Sequence, residues 1–378
     1  MRVETAPVRA FLEPHHHQLA DRLEQFAAAQ SDLPNLHDDE QARVQARVWL
    51  ERLGQADLIA YGVGTPDMRA VCLIREVLAA TSTLADSVYA LQCLGSLPIM
   101  LAGSAEQKEL LNAVRAGQTM AAFAMTEAEA GSDVVSMKTS ARPEGHGFVL
   151  EGEKCFITNA GLADFYTVFA KTDAMAGHRG LSCFLVKADN PGLRFVGPQV
   201  MSAPHPLGRI AFEQCRVPRE ALVGELGQGF KLGMMTLDYM RSTVGAAACG
   251  MAARALAEAT QHVRARRQFG KALVEFQLVQ HRLAGMAIEL DASRLLVYRA
   301  VWEKDAGAAR VTLESAMAKA FACEAAQRVV DAAIQLHGGA GVMRDSVVDH
   351  LYRSVRALRI YEGATDIQHL VIARELVK

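Results

Sequence analysis

The sequence predicts an α+β chain with an N-terminal helical domain, a central antiparallel β-barrel or sandwich domain and a C-terminal four-helix-bundle domain. Three observations carry that prediction. Apolar residues recur at helical spacing up to about residue 118. Short aromatic and β-branched runs with no helices between them fill about 119–223. Longer, Ala-rich helical spacing returns from about 224 to the end. At 378 residues the chain exceeds one ordinary core and fits two or three domains.

Within 1–118, Pro14 opens a helix whose Leu19, Leu23 and Phe26 fall on one face. Val71, Ile74 and Leu78 mark a second, and Val88, Leu91 and Leu94 a third, while Tyr61-Gly62-Val63-Gly64-Thr65-Pro66 reads as a loop. His15, His16 and His17 are adjacent. Neighbours on a helix diverge, so they do not form a shared ligand site and no metal is expected. Within 119–223 the strand runs are 148–150, 155–158, 165–170 and 181–186, bounded by turns such as Asp189-Asn190-Pro191-Gly192. Their spacing of about ten residues favours a barrel or sandwich over a Rossmann unit. Within 224–378, Val279, Leu283, Met286 and Leu290 share a helix face. So do Ala316, Ala320, Cys323, Gln327, Val330 and Ile334, and the abundant Ala allows close helix packing.

Composition narrows the function classes. Apolar residues make up 51% and charged residues 22%, which is globular rather than disordered. A net charge of −2 without a basic block gives no basis for a nucleic-acid or anionic-membrane partner. Apolar stretches are expected to fall short of a membrane span, and Met1-Arg2-Val3-Glu4 lacks the apolar core of a secretory leader. Seven Cys form no CxxC, which suits free thiols in a reducing compartment, so a soluble cytoplasmic protein is expected. GxGxxG after a strand, GxxxxGK[ST], HExxH, zinc spacings and GxSxG are all absent.

Five strings stand out. In 121–133 (AAFAMTEAEAGSD), Gly131 and Ser132 can offer N–H groups and a hydroxyl to a phosphate. The edge at Met125-Thr126 can hydrogen-bond a planar heterocycle, though a strand, a turn and an Asp cap would also account for it. In Phe156-Ile157-Thr158-Asn159-Ala160, an aromatic and a hydroxyl two apart share a strand face. A core Phe is the alternative. Arg266-Arg267-Gln268-Phe269-Gly270 ends a helix, where Arg either complements the dipole or reaches a pyrophosphate. In 335–342 (QLHGGAGV), three glycines in four positions exceed what a C-cap needs and point to close approach of a ligand or a neighbouring chain. In 359–368 (RIYEGATDIQ), one carboxylate lies between Tyr361 and Gly363 ahead of a helix that Thr365 or Asp366 could cap.

In this order and at these separations, the five strings resemble the acyl-CoA dehydrogenase family of flavoproteins over nearly the whole chain. The resemblance implies the same three-domain architecture, usually as a homotetramer, with FAD held against a neighbouring subunit. It places Phe123, Met125, Thr126 and Ser132 along the flavin and pyrophosphate, and Phe156 and Thr158 over the flavin ring. Arg266, Gln268, Phe269, Gln277 and the stretch Gln335 to Gly339, including Gly338, would cross a dimer or tetramer interface toward the adenine half. Thr365, Asp366 and Gln368 close the site. Asp238, Arg241, Tyr361, Gly363 and Ser132 would meet the substrate or its CoA arm. Glu362 would be the catalytic base, taking the α proton of an acyl thioester while the β hydrogen leaves as hydride to the flavin. A carboxylate does this only when desolvated and when the thioester carbonyl is acidified by hydrogen bonds, one of them from the Glu362 N–H. Some relatives carry the base near 238–241, where Met240 stands here. Other departures are Phe156 for a frequent Trp, Ala128 for Pro, Ala364 for Thr, a 61–64 loop without the usual Pro-Glu and paired-Gly string, and the unusual string His205-Pro206-Leu207-Gly208-Arg209.

The resemblance thus implies an acyl-CoA dehydrogenase that makes a 2-enoyl-CoA and passes electrons to an electron-transfer flavoprotein. The alternatives are an acyl-carrier-protein or peptidyl-carrier thioester dehydrogenase in biosynthesis, an oxidase using O₂, and a non-dehydrogenating flavoprotein relative. Retention of Glu362 weighs against the last.

Overall fold

The structure, a computed structural model, describes residues 4–30 and 38–378. Residues 1–3, read above for a leader, lie outside the described residues. Five helices come first: α1 (Pro14–Ala28), α2 (Asp39–Gln55), α3 (Met68–Thr81), α4 (Thr83–Ala102) and α5 (Ala105–Arg115). Strands follow: β1 (Ala121–Ala124), β2 (Ser140–Glu144), β3 (Gly147–Thr158), β4 (Phe165–Lys171), β5 (Leu181–Lys187), β6 (Leu193–Pro198), β7 (Leu207–Pro218) and β8 (Leu222–Val223). Then come α6 (Gly229–Ala265), the short pair β9 (Arg267–Gln268) and β10 (Lys271–Ala272), α7 (Gln277–Asp305), α8 (Thr312–His337), α9 (Val347–Leu358) and α10 (Thr365–Leu376). The fold is the predicted α+β one.

Local chemistry sets the boundaries. Pro14 is the first residue of α1, where its missing N–H is not needed. Asp38 caps α2 by accepting the Gln41 N–H at 2.8 Å, and Ser104 with Gln107 forms a capping box on α5. The 3.6-residue spacing located α1, α3 and α4. It missed α2 and α5, although their cap signals, Asp38 and Ser104, were present.

By their contacts the residues fall into two units. One comprises Met1–Asn35, Asp67–Asp86 and Asp238–Lys378; the other comprises Leu36–Pro66 and Ser87–Leu237. The N-terminal helices are divided between them, with α1 and α3 in the first and α2 and α5 in the second.

In the helical unit, α7 packs on α8, α9 and α10 pack on α8, and α3 packs on α1 and α7. Small residues set the spacing, as the Ala-rich sequence predicts: Ala246, Ala247, Ala255, Ala316, Ala318 and Ala322 are fully buried. At Gly250 of α6 a Cβ would stand 2.1 Å from the Glu76 carbonyl oxygen, so only glycine permits that crossing with α3. Two ion pairs are sealed in the same unit. Arg75 binds Asp86 through Nε and Nη2 at 2.8 and 2.9 Å, and Arg294 binds Glu76 through Nε at 2.8 Å.

In the sheet unit, eight strands run in the order β6-β7-β3-β2-β4-β5-β8, with β1 beside β4. Pairing is antiparallel except for β1 with β4 and one β2–β4 contact. The runs 148–150 and 155–158 belong to the single strand β3. It is bulged against β7 between Leu150 and Gly152 and again between Lys154 and Ile157. Leu150, Ile157, Val168, Phe184, Ile210 and Phe212 form the core.

Helix α4 corrects one expectation. By length and composition it could cross a membrane (hydropathy 1.3), because its only charge, Asp86, lies in the first turn, yet 78% of that stretch is buried inside the fold. A core helix passes the same test. All seven cysteines are free and buried.

Candidate active site

Glu362 sits in a tight loop between α9 and α10. The loop is closed by the Thr365 N–H on the Arg359 carbonyl (3.0 Å) and by the Gln368 amide on the Gly363 carbonyl (3.0 Å). The Lys319 ammonium, from the middle of α8, also binds the Gly363 carbonyl at 2.7 Å. Glu362 has φ 53° and Gly363 φ 93°. A left-handed glutamate is strained, and such strain persists only where the surroundings over-determine the conformation. It turns the carboxyl inward, where Oε2 is buried without a hydrogen-bond partner.

Burial pushes the Glu362 carboxyl above its ordinary range, and Arg75, Lys319 and Arg241 oppose that push without cancelling it. Each cation has its own anchor. Arg75 is held by Asp86 and by Thr243 Oγ1 at 2.8 Å, Lys319 by the Gly363 carbonyl, and Arg241 by Asp238 at 2.9 Å. Glu362 therefore feels positive charge but is not paired. That state suits a carboxylate that must accept a proton, and Met240, buried on α6, supplies no competing base. Tyr361, beside it, is 39% exposed. Asp238 is committed on both oxygens, to Arg241 and to the Thr312 hydroxyl at 2.8 Å. Arg241 keeps a buried Nε without a partner.

The remaining candidates of the helical unit lie on its surface. Arg267 and Gln268 pair with Ala272 and Lys271 in a hairpin whose turn residues Phe269 and Gly270 have φ 50° and 80°. Phe269 is 92% exposed at the tip, and Arg266, Gln268 and Gln277 are exposed as well. Gln335, Gly338 and Gly339 are exposed at the end of α8, and nothing lies within 4 Å of where a Cβ would stand on either glycine. Gly341 differs. A Cβ there would meet the Ile334 carbonyl at 2.6 Å, so that glycine serves the chain's own packing. Asp366 is exposed and Thr365 half-buried at the start of α10, and neither caps it.

In the sheet unit, the buried Lys154 ammonium binds the Met125 carbonyl (3.0 Å) and Glu127 (2.8 Å), tying the turn after β1 to β3. Met125 is buried, Phe123 and Thr126 are half-buried, and Gly131 and Ser132 are exposed, with open space at Gly131. Phe156 and Thr158 flank the buried Ile157 and are both less buried than it. Phe156 has φ 55° in the second bulge, where Gln199 accepts its N–H at 2.6 Å. The bulge leaves the Phe156 ring 58% exposed, so it is not a core residue. Thr158 is half-buried, with His205 Nε2 2.9 Å from its hydroxyl.

These features fit FAD. An exposed aromatic ring beside a hydroxyl suits a flat heterocycle, and an open Gly-Ser turn suits a diphosphate. Sequence reasoning missed Arg75, Asp86, Lys154, Glu127 and Lys319. For Arg75 and Lys319 the signal was charge inside apolar runs, such as Val71-Cys72-Leu73-Ile74-Arg75-Glu76-Val77-Leu78; Glu127 and Lys154 lie in polar stretches and carried none.

At the N-terminus the expected divergence of adjacent histidines fails. The His15 and His16 rings lie 3.9 Å apart, tilted by 37°, and both reach Asp67, at 2.9 and 3.1 Å. His16 Nδ1 accepts the Glu13 N–H (3.0 Å), so Nε2 carries the proton and donates to Asp67 rather than offering a lone pair to an ion. Burial would raise the Asp67 carboxyl, but hydrogen bonds from His16, the Ala70 amide and His15 hold it well below the usual range.

Comparison with known proteins identifies the family and the fold. Residues 122–215 match the family model for the acyl-CoA dehydrogenase middle domain, and 227–377 match its C-terminal domain. A probable acyl-CoA dehydrogenase of Mycobacterium tuberculosis is 39% identical over 322 residues, covering 84% of this chain and 82% of that protein. The structure of butyryl-CoA dehydrogenase from Megasphaera elsdenii superposes with a TM-score of 0.88 at 30% identity, over 97% of this chain and 99% of that one. A structure described as the electron transferring flavoprotein of Acidaminococcus fermentans gives 0.89 at 32% identity, over 97% and 99%.

Proposed function

Because this chain belongs to the acyl-CoA dehydrogenase family of FAD-dependent oxidoreductases acting on CH–CH bonds, we propose that it converts an acyl-CoA thioester to its 2-enoyl-CoA, with Glu362 as the base. One observation carries the reading: a strained, buried and unpaired carboxylate oxygen at Glu362. When bound, FAD accepts the hydride that leaves the substrate's β carbon.

The protein's own part is to move and hold a proton. Glu362 takes the α proton, and the Glu362 N–H serves as one donor to the thioester carbonyl, lowering the acidity barrier. Burial supplies a base stronger than an ordinary carboxylate. The cations at Arg75, Lys319 and Arg241 oppose that upward push, favouring the ionised form that can accept a proton. Phe156 and Thr158 cover the flavin ring, and Phe123, Met125, Thr126 and Ser132 line it and the diphosphate. Arg266, Gln268, Phe269, Gln277, Gln335, Gly338 and Gly339 reach the adenine half of a cofactor bound by a second copy, in a homodimer or homotetramer. Thr365 and Asp366 close the site, while Tyr361, Gly363, Asp238 and Arg241 border the substrate. Electrons then pass to an electron-transfer flavoprotein in the cytoplasm.

The test is anaerobic bleaching of the FAD-loaded protein by a panel of acyl-CoAs. The parent is expected to bleach, and Glu362→Gln to keep its FAD but bleach on the order of 10²–10⁴-fold more slowly. Equal rates would remove Glu362 from the role. Bleaching only by a carrier-protein thioester would replace acyl-CoA with that substrate.

A further inference from the structure

His205 has a hydroxyl at each ring nitrogen. Ser87 Oγ lies 3.2 Å from Nδ1, and Thr158 Oγ1 lies 2.9 Å from Nε2. The loop that carries it is held from several sides. The Asn159 N–H binds the Pro206 carbonyl (2.7 Å), and the Leu207 N–H binds the His205 carbonyl (2.7 Å). Arg43 reaches the Leu207 and Ala160 carbonyls at 2.7 and 2.8 Å. The ring is thus set against Thr158 rather than loosely placed.

Burial, with Arg43 adding to it, pushes His205 down to about 4, so the ring is neutral and one nitrogen donates while the other accepts. The two possible polarities have opposite consequences for Thr158. If Nε2 accepts, the only hydrogen of the Thr158 hydroxyl is used up on the ring. If Nε2–H donates, the Thr158 oxygen is satisfied and its hydrogen is free to point at a ligand. The edge of an oxidised flavin ring carries several acceptor atoms and one N–H donor, so a free donor is what such a ligand can use.

We infer that His205 is a positioning residue: Ser87 donates to Nδ1, Nε2–H donates to Thr158, and the Thr158 hydroxyl is thereby held as a hydrogen-bond donor toward the flavin ring. This rests on the reading that Thr158 faces the flavin.

The tautomer can be read without cofactor, by ¹⁵N NMR of ¹⁵N-histidine-labelled protein before FAD is added. The expected spectrum has His205 protonated at Nε2 and bare at Nδ1, and the reverse pattern overturns the inference. In the FAD-loaded protein, amide reach separates a donor from a space-filler. The amide of Gln reaches the Nε2 position and that of Asn only the Nδ1 position. His205→Gln is expected to keep the parent's flavin absorption bands and reduction potential. His205→Asn should shift the bands, lower the potential and slow reduction by substrate roughly tenfold, the size of one hydrogen bond. Ser87→Ala, which leaves the ring in place, should shift the bands in the same direction by a smaller amount. Gln and Asn variants that match each other in bands and potential would reduce His205 to packing. Thr158→Val with unchanged bands and potential, in a protein that still bleaches with acyl-CoA, would overturn this inference while leaving the proposed function intact. A parent protein that takes up no flavin would end both.

Discussion

Glu362 is a carboxylate whose fold disfavours its charge, and that has a consequence for stability as well as for rate. A carboxyl raised above its unfolded value contributes most when protonated in both states, and its contribution is lost as pH rises through the raised value. Glu362→Gln never ionises. It should therefore melt close to the parent at pH below the ordinary carboxylate range and increasingly above it as pH rises past that range. Thermal melts of both proteins across that window check this, and a constant difference would mean the carboxyl is not strained by burial. The neighbouring glycine is the second lever. At φ 93° a Cβ on Gly363 is strained and would stand 2.2 Å from Gln368 Nε2, displacing the amide that holds the loop's carbonyls. Gly363→Ala should cost about 1–3 kcal/mol in denaturant titration and lower kcat. At this scale the sequence showed the string Tyr361-Glu362-Gly363. It could not show Arg75 or Lys319, because their approach depends on helix packing across hundreds of residues.

Among the elements, β3 shows where pattern reading works and where it stops. The aromatic and β-branched runs located it, but the bulges split it into two apparent strands and put Phe156 in the left-handed region. A bulge is one inserted residue whose signal is a register mismatch with β7, and a single run does not carry that information. The same strand holds the buried Lys154. Burial lowers its ammonium to about 8, while Glu127, despite its own burial, is drawn below its usual range by Lys154 and the Lys138 amide. Removing one member of such a pair leaves the other uncompensated. Lys154→Met should destabilise by about 3–5 kcal/mol, and adding Glu127→Gln should restore part of that. Chemical denaturation of the single and double variants measures it. FAD affinity should fall with the single change, since Lys154 anchors the turn that carries Thr126.

For the whole molecule, the three-part succession of helices, strands and helices was legible from periodicity alone, since 3.6- and 2-residue spacings differ sharply. The sharing of the first helices between two units was not, because α3 packs by long-range contact on α7 and α1 packs on α3. The Phe269 hairpin belongs to this scale too. A ring left 92% exposed at a hairpin tip is open to a second copy, the role proposed for it above. Asn tolerates the left-handed conformation that Phe269 holds, so Phe269→Asn should keep the hairpin and the chain's own folding. It should nonetheless yield smaller assemblies by light scattering and faster FAD loss on dilution. Unchanged mass and retention would detach the hairpin from both roles.

The sealed cysteines give the molecule a built-in stopwatch. Burial pushes Cys215 up to about 11 and Cys323 up to about 12, and an alkylating reagent reacts with the thiolate, so neither is a target while the fold is shut. Cys93, Cys155, Cys183 and Cys215 lie in the sheet unit, and Cys72, Cys249 and Cys323 in the helical one. Mass spectrometry of each labelled peptide over time would report how often each unit opens, and whether added FAD slows the labelling.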